Sequence, residues 1–183
     1  MRAGVLAAAI LLALAGTGGA SQPGGNTQAA ALALPALTGR VVDQANLLSP
    51  DDEQRLAAAS AALERDLGPQ FVIATVPSLQ GRSIEDYSVQ LANSWGIGSA
   101  AHNDGVLLLV APAERKVRIE VGYGLERRVT DPFAARVIRE QIIPRFQAGD
   151  YAAGIAAGSA AIIARLRSPM TERQIAAEDH LLI

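Results

Sequence analysis

The chain has 183 residues, carries a formal net charge of −2 and contains no cysteine. Its length allows one domain with a sizeable core. Without cysteine the protein has no disulfide, no thiolate nucleophile and no cysteine metal site, and without a long basic run it lacks the charge pattern of a nucleic-acid-binding protein.

The N-terminus predicts export. Met1 and Arg2 precede an apolar run over residues 5–15, and small residues follow up to Ala20. This pattern is typical of a secretory signal peptide, and a helix of about 11 residues rises only ~16 Å, about half of a ~30 Å hydrocarbon core. We therefore predict a cleaved signal peptide over residues 1–20, a periplasmic or extracellular location and no permanent membrane span after cleavage. An uncleaved segment would keep the protein attached to the membrane.

Composition divides the rest of the chain into three regions. Residues 21–38 are rich in glycine, proline and alanine, which predicts a flexible linker. Residues 39–168 carry alternating helical and strand patterns and form the predicted domain, in which no internal repeat occurs. Residues 169–183 are predicted to be a peripheral C-terminal tail.

Within the domain, capping residues and apolar periodicity predict alternating helices and strands. The predicted order is a helix opened by Ser49, a strand at 70–76, a helix opened by Ser83, strands at 106–110 and 116–122, a helix opened by Asp131 and Pro132, and a last helix after Asp150. The unbroken apolar run at 106–110 is expected in a strand that is covered on both faces. The fold class is therefore α/β, with helices on both faces of a small mixed sheet.

The strands at 106–110 and 116–122 predict an antiparallel hairpin with its turn centred near Ala113 and Glu114. In such a hairpin Asp104 faces the neighbourhood of Tyr123, and the next helix begins only a short loop later. The carboxylates expected near this one edge of the sheet are Asp104, Glu120, Glu126 and Asp131. This edge is where we expect the chemistry of the protein.

Several segments of the domain match one known family in consistent order. They read VDQANLLS at 42–49, SIEDY to WGIG at 83–98, NDGV at 103–106, RIEVGYGLE at 118–126, TD at 130–131, IIPRF at 142–146 and GDY at 149–151. Together they resemble the TPM-domain family of exported and thylakoid-lumenal proteins. The resemblance implies a three-layer α/β/α sandwich with a mixed sheet. Arg127 departs from the family pattern, which has a small residue at that place.

The resemblance also implies a range of functions. Some members of the family resemble weak acid phosphatases, several bind calcium or magnesium, and others look like auxiliary factors in photosystem repair or receptor modulation. Many bacterial relatives add a membrane segment after the domain, and this chain does not.

A metal site is predicted from the acidic positions that match the family. These residues are Asp43, Asn103, Asp104 and Asp131. Carboxylate and amide oxygens are the ligands that calcium and magnesium prefer, and main-chain carbonyls near residues 122–125 would add further ligands. A cluster without His or Cys argues against zinc. The alternative is structural for each residue alone, since Asp131 can cap a helix and both Asp104 and Asp43 can form turns.

No catalytic residue is assigned from the sequence. The histidines are His102 and His180, the motif G-x-S-x-G is absent, and no serine has an evident base beside it. His102 could carry a proton at the acidic edge or could be a surface-loop residue. Glu120 is expected to pair with Arg118 on the same side of its strand.

Two functions follow as hypotheses. The first is an exported module that binds a divalent cation and acts as an accessory factor on or near a membrane protein complex. The second is a metal-dependent phosphatase of low activity, in which the bound metal activates water. The missing pair of nucleophile and base favours the first.

Overall fold

The structure is a computed structural model that describes residues 33–169. Its sheet has four strands in chain order, which are β1 (Val41–Asp43), β2 (Gln70–Thr75), β3 (Gly105–Ala111) and β4 (Lys116–Val121). β1, β2 and β3 are parallel, and β4 is antiparallel to β3. The predicted small mixed sheet is confirmed, and β1 is a further strand that the sequence pattern did not predict.

Residues 33–169 contain five α-helices. They are α1 (Pro50–Leu67), α2 (Ile84–Trp95), α3 (Asp131–Val137), α4 (Ile143–Gln147) and α5 (Tyr151–Arg167). A π-helical turn at Ile138–Ile142 joins α3 to α4, and a 3₁₀ turn at Tyr123–Leu125 follows β4. Ser49 and Ser83 cap α1 and α2 as predicted, because each hydroxyl accepts the amide of the third helical residue.

The core consists of two apolar layers, one on each face of the sheet. On one face, Phe71 and Ile73 of β2 pack with apolar residues of α1, α3 and α5. On the other face, Val72 and Ala74 pack with Tyr87 and other residues of α2. β3 is buried along its whole length, which explains its unbroken apolar sequence. The predicted α/β/α sandwich is confirmed.

The two parallel crossovers of the sheet have opposite hands. The chain steps from β1 to β2 and from β2 to β3 in the same direction across the sheet, yet α1 and α2 lie on opposite faces. One crossover therefore departs from the right-handed rule.

The end of the predicted linker contacts the domain. Leu34 packs against the core layer of α2, and the indole Nε1 of Trp95 donates to the carbonyl oxygen of Pro35 at 2.7 Å. The predicted signal peptide at 1–20, the linker up to residue 32 and the tail from residue 170 lie outside the described residues. Among residues 33–169, no helix is both long and apolar enough to cross a bilayer.

The cap of α3 differs from the prediction. Thr130 rather than Asp131 is the N-cap, since the Thr130 hydroxyl accepts the amide of Phe133 at 3.4 Å, and Asp131 is the first helical residue. Both residue types cap helices well, and only the extended backbone at Thr130 decides between them. The prediction that Asp131 caps this helix is therefore wrong.

This correction is testable by substitution. Thr130→Ala removes the capping acceptor, so we expect the free energy of unfolding to fall by about 0.5–2 kcal/mol. Asp131→Ala removes only a charge near the helix N-terminus, an interaction of about 0.3–1 kcal/mol. Urea unfolding of both variants measures the difference. Thr130→Ser keeps the acceptor and is the control, and a larger loss in Asp131→Ala than in Thr130→Ala would contradict the assignment.

Candidate functional site

The β3–β4 hairpin brings the predicted loop segments together at the amino edge of the parallel strands. Val106 lies opposite Val121, and the amide of Gly122 donates to the oxygen of Gly105 at 2.7 Å. This register places Asp104 level with Tyr123, as predicted, with the turn centred between Ala113 and Glu114. The hairpin geometry inferred from the sequence is confirmed.

The two glycines after β4 pack directly on the loop before β3. A Cβ atom on Gly122 would lie 2.1 Å from the carbonyl oxygen of Asn103, and one on Gly124 would lie 1.9 Å from that of His102. The amide of Gly124 also donates to the oxygen of Asn103 at 3.1 Å. These glycines therefore serve close approach between two loops, and their contact fixes the main chain beside Asp104.

Asp104 organises the loop that precedes β3. Its Oδ1 accepts the amide of Ser99 at 2.7 Å and the hydroxyl of Ser99 at 2.9 Å. Burial of this carboxyl would raise its pKa, but the two bonds from Ser99, with the nearby His102, outweigh that effect and hold the pKa of Asp104 below its usual value. Asp104 is therefore ionised at neutral pH. Within residues 33–169, its second oxygen, Oδ2, makes no hydrogen bond.

Ser99 is the site residue that the sequence did not reveal. Its hydroxyl lies 3.1 Å from Nδ1 of His102 and also bonds Asp104. Ser99 therefore has a histidine beside it that the sequence did not indicate, although its hydroxyl donates to Asp104. The spacing Ser99-x-x-His102 was the available signal, but a loop rich in alanine and glycine gives no periodicity that predicts a hydrogen bond.

Asp43 lies at the opposite ends of the strands, where the parallel strands finish. It is level with Thr75 in β2, which is level with Val110 in β3. Since Val110 comes six residues after Asp104, the two carboxylates are separated by about 20 Å along the strands. Asp43 and Asp104 therefore do not form a single site. The expectation that they converge is corrected: β1 runs parallel to β3, so Asp43 at the end of β1 lies at the carboxyl ends of the strands, and Asp104 before β3 lies at the amino ends.

The side chain of Asp43 is fully bonded at the carboxyl ends of β1 and β2. Its oxygens accept the amides of Leu47 at 3.1 Å and Leu48 at 2.8 Å, and Oδ1 also accepts the hydroxyl of Thr75. These bonds hold the turn that leads into α1. Asp43 therefore has the turn-forming role that was its alternative in the sequence.

Asp131 is exposed at the start of α3. The segment before it is fixed to α5, because the carbonyl oxygen of Arg128 accepts Nε of Arg165 at 2.6 Å. No hydrogen bond within residues 33–169 joins Asp131 to Asn103 or Asp104. In that same part of the chain, no group of three His, Cys, Asp or Glu side chains is placed to hold a metal ion. Of the four predicted ligands, the structure brings together Asn103 and Asp104.

A pocket of about 300 Å³ adjoins this pair. It lies between α2 and the end of β4 and is lined in part by Asn93, Asn103 and Glu120. Glu120 is engaged as predicted, since its Oε2 accepts Nε of Arg118 at 2.7 Å, and it also accepts the hydroxyl of Ser88 at 2.8 Å. The pocket therefore offers amide groups and a paired carboxylate beside the Asp104 loop.

Comparison with known proteins identifies the family. The model of the TPM domain matches residues 41–165, which is more than half of the chain. This chain belongs to the TPM-domain family. The resemblance found in the sequence is confirmed, and the TPM domain contains every residue of the candidate site. The comparison with curated proteins gave no match.

Three solved structures share the fold of this TPM domain. The N-terminal domain of a protein from P. gingivalis is 36% identical, with a TM-score of 0.66 over 70% of this chain and 82% of that one. The N-terminal domain of cg2496 from Corynebacterium glutamicum is 17% identical, with a TM-score of 0.56 over 77% and 90%. The BA42 protein from Bizionia argentinensis is 18% identical, with a TM-score of 0.57 over 69% and 87%.

Proposed function

We propose that this TPM domain is an exported accessory module that binds calcium or magnesium through Asn103 and Asp104 and acts on or near a membrane protein complex. The observation that carries the proposal is the state of Asp104. Its carboxylate is ionised at neutral pH and half-buried, and Oδ2 has no hydrogen-bond partner within residues 33–169. A fixed charge with one open oxygen is the primary ligand that a hard cation requires.

The remaining donors fit calcium or a largely hydrated magnesium. Asn103 is exposed, so its amide oxygen can turn toward a cation beside Asp104. Calcium accepts carboxylate, amide and water oxygens in irregular geometry, and magnesium keeps several of its waters while one or two carboxylates hold it. A single carboxylate without a second acidic side chain supports weak binding. It does not fit zinc, which takes three or four protein ligands, mostly from His and Cys.

Two of the predicted ligands are left out of this proposed site. Asp43 has both oxygens bonded and lies at the far edge of the sheet. Asp131 shares no hydrogen bond with the Asp104 loop within the described part of the chain. It therefore serves as a control in the experiment below.

The location and the accessory role are supported by the sequence and the fold. The N-terminal pattern of a basic start, an apolar run and small residues is that of an exported protein. The accessory role is supported by the polar groups of the loops, most of which are hydrogen-bonded to each other. Catalysis needs a preorganised set of groups that are free to act on a substrate, so this arrangement suits binding better.

Titration calorimetry with calcium and with magnesium tests the cation site. We expect saturable binding that weakens roughly tenfold or more in Asp104→Asn, a loss of at least about 1.4 kcal/mol. Asparagine keeps the shape and the acceptor for Ser99, so the loop remains folded while the charge is lost. Asp131→Asn and Asp51→Asn, both exposed positions, are the controls and should bind as the original protein does. Binding that is unchanged in Asp104→Asn would sink the proposal.

A second candidate, weak cation-assisted hydrolysis of phosphate monoesters, is favoured by one observation. His102 lies within hydrogen-bond distance of Ser99, whose hydroxyl also bonds Asp104. A bound cation would lower the pKa of a water molecule, and His102 would carry the proton. Turnover that disappears in both Asp104→Asn and His102→Gln would favour this candidate. Cation binding without turnover would favour the accessory module.

A further inference from the structure

β4 is an open edge of the sheet. The bond from Gly122 to Gly105 shows that residues 116, 118, 120 and 122 face β3. The amide and carbonyl groups of Val117, Ile119 and Val121 therefore point away from the sheet, and within residues 33–169 they have no hydrogen-bond partner. Most natural edge strands carry a proline, a bulge or an inward charge that blocks pairing. β4 has no proline and no bulge, and the charges of Arg118 and Glu120 are paired with each other on the α2 face, so neither the backbone nor an unpaired inward charge blocks the edge. Ile119 is almost completely buried.

We propose that two copies of this chain pair through β4, antiparallel and with Ile119 opposite Ile119 of the second copy, so that two four-stranded sheets become one sheet of eight strands. In this register the outward groups of Val117 face those of Val121. The three opposed pairs exchange about six main-chain hydrogen bonds, two for each pair. The pairing satisfies the backbone groups that β4 leaves open.

The charges of β4 select this register. Arg118 and Glu120 point to the α2 face, where Arg118 contacts Glu120 at 2.7 Å. About a two-fold axis at Ile119, Arg118 of each copy lies opposite Glu120 of the other, and the apolar side chains meet on the opposite face. A shift of the partner by two residues in either direction would oppose Arg118 to Arg118 or Glu120 to Glu120, which is unfavourable. The sequence VRIEV at 117–121 is therefore self-complementary.

Two exposed apolar side chains, Tyr123 and Val89, lie close to the proposed dimer contact. Tyr123 is 81% exposed, and in the paired register it is level with Arg115 of the other copy. Arg115 borders a groove of about 770 Å³ whose wall includes Ile143 and Phe146. In the proposed dimer Tyr123, which lies in the 3₁₀ turn just after β4, would be near the groove of the other copy, where a phenol ring can pack on apolar side chains and beside a guanidinium. Val89, another exposed apolar residue, lies on the β4 side of α2.

The first test is the mass of the protein in solution, with protein expressed from its full sequence. Light scattering after size exclusion, repeated over a range of concentrations, should show a monomer–dimer equilibrium. Arg118→Glu and Glu120→Arg should each raise the dimer Kd roughly tenfold or more, because each opposes like charges across the axis. An equal mixture of the two variants should recover the dimer as a mixed species in native mass spectrometry, since opposite charges then face each other. Dimers in each variant alone would overturn the register.

The second test uses variants that leave the fold in place. Val121→Pro removes an amide that points away from β3, so the β3–β4 ladder is kept while the open edge is blocked. Tyr123→Ala alters a side chain that lies almost entirely in solvent. Both should shift the protein to monomer, whereas Leu67→Ala, an exposed apolar position on α1, should leave the dimer intact. Tyr123→Ala should change the urea unfolding of the monomer little, and because Val121 also packs against the core, circular dichroism of the Val121→Pro monomer checks that it is folded. A protein that is monomeric at its highest soluble concentration, or a dimer that survives Val121→Pro, would overturn the proposal. A monomer that binds an extended peptide along β4 would also overturn the proposal, because the open strand would then pair with another protein and not with a second copy.

Discussion

Gly122→Ala is expected to lower the free energy of unfolding by about 1–3 kcal/mol, the usual cost of adding volume to a tightly packed place. The backbone of Gly122 has φ −67° and ψ 146°, which alanine adopts without strain. The effect therefore comes from packing alone. The added Cβ would lie 2.1 Å from the carbonyl oxygen of Asn103, and that oxygen belongs to main chain that must move as a unit.

Urea unfolding measures this change, and Gly39→Ala is its matched control. A Cβ on Gly39 meets only the oxygen of Val41 at 3.9 Å, an ordinary contact, and Gly39 has no left-handed backbone. The control should unfold as the original protein does. Equal stability of the two variants would show that the loop before β3 does not press against Gly122. Because the shift would displace Asn103, a ligand of the proposed calcium site, the proposal also predicts that calcium raises the Tm less in Gly122→Ala than in the original protein.

Glu114→Ala is expected to cost about 1.5–3 kcal/mol, the range for hydrogen bonds to a charged group. Glu114 lies in the β3–β4 turn, and its Oε1 accepts the hydroxyl of Ser78 at 2.9 Å and the amide of Leu79 at 2.8 Å. These bonds tie the hairpin turn to the loop between β2 and α2. Leu79 is fully buried, so removal of the carboxylate leaves a buried amide without its acceptor. Glu114→Gln keeps an acceptor and should cost less.

The contribution of Glu114 depends on pH. Burial would raise the pKa of this carboxyl, but the bonds from Leu79 and Ser78 outweigh it and the pKa lies below its usual value. A carboxyl whose pKa is lowered by folding stabilises the protein above its unfolded pKa of about 4.3 and loses this stabilisation as the pH falls through the folded pKa. The stability gap between the original protein and Glu114→Gln should therefore shrink in acid. A gap that grows as the pH falls would contradict the assignment, and Glu126→Gln, an exposed carboxylate, is the control.

The hairpin shows what a sequence of this kind predicts well. The turn at Ala113 and Glu114, the pairing of the two strands and the position of Asp104 beside Tyr123 all involve residues close in the chain. Strand alternation and turn length fix such a register locally. The caps of α1 and α2 were predictable for the same reason, since a serine followed by acidic residues reports on its own helix start.

The candidate site was only half predictable. Asn103 and Asp104 lie in the hairpin and could be placed from it. Asp43 could not be placed from the sequence. Its position depends on the direction in which β1 pairs with β2, a strand about thirty residues away, and no local sequence pattern predicts that pairing. Ser99 was missed because its hydrogen bonds depend on how an irregular loop folds back on itself.

By itself the sequence determined the class of the fold, the order of the elements that follow β1, the hairpin and the family, because periodicity, caps and turns act within a few residues. The three-residue strand β1 was not predicted, since it is too short to show a periodic pattern. Only the tertiary structure decided that α1 and α2 cover opposite faces and that Asp43 and Asp104 lie at opposite ends of the parallel strands. It also decided that, within residues 33–169, the outward groups of β4 have no hydrogen-bond partner. These features depend on which strands pair and which faces are buried. Burial is a property of the whole chain, and no single segment specifies it.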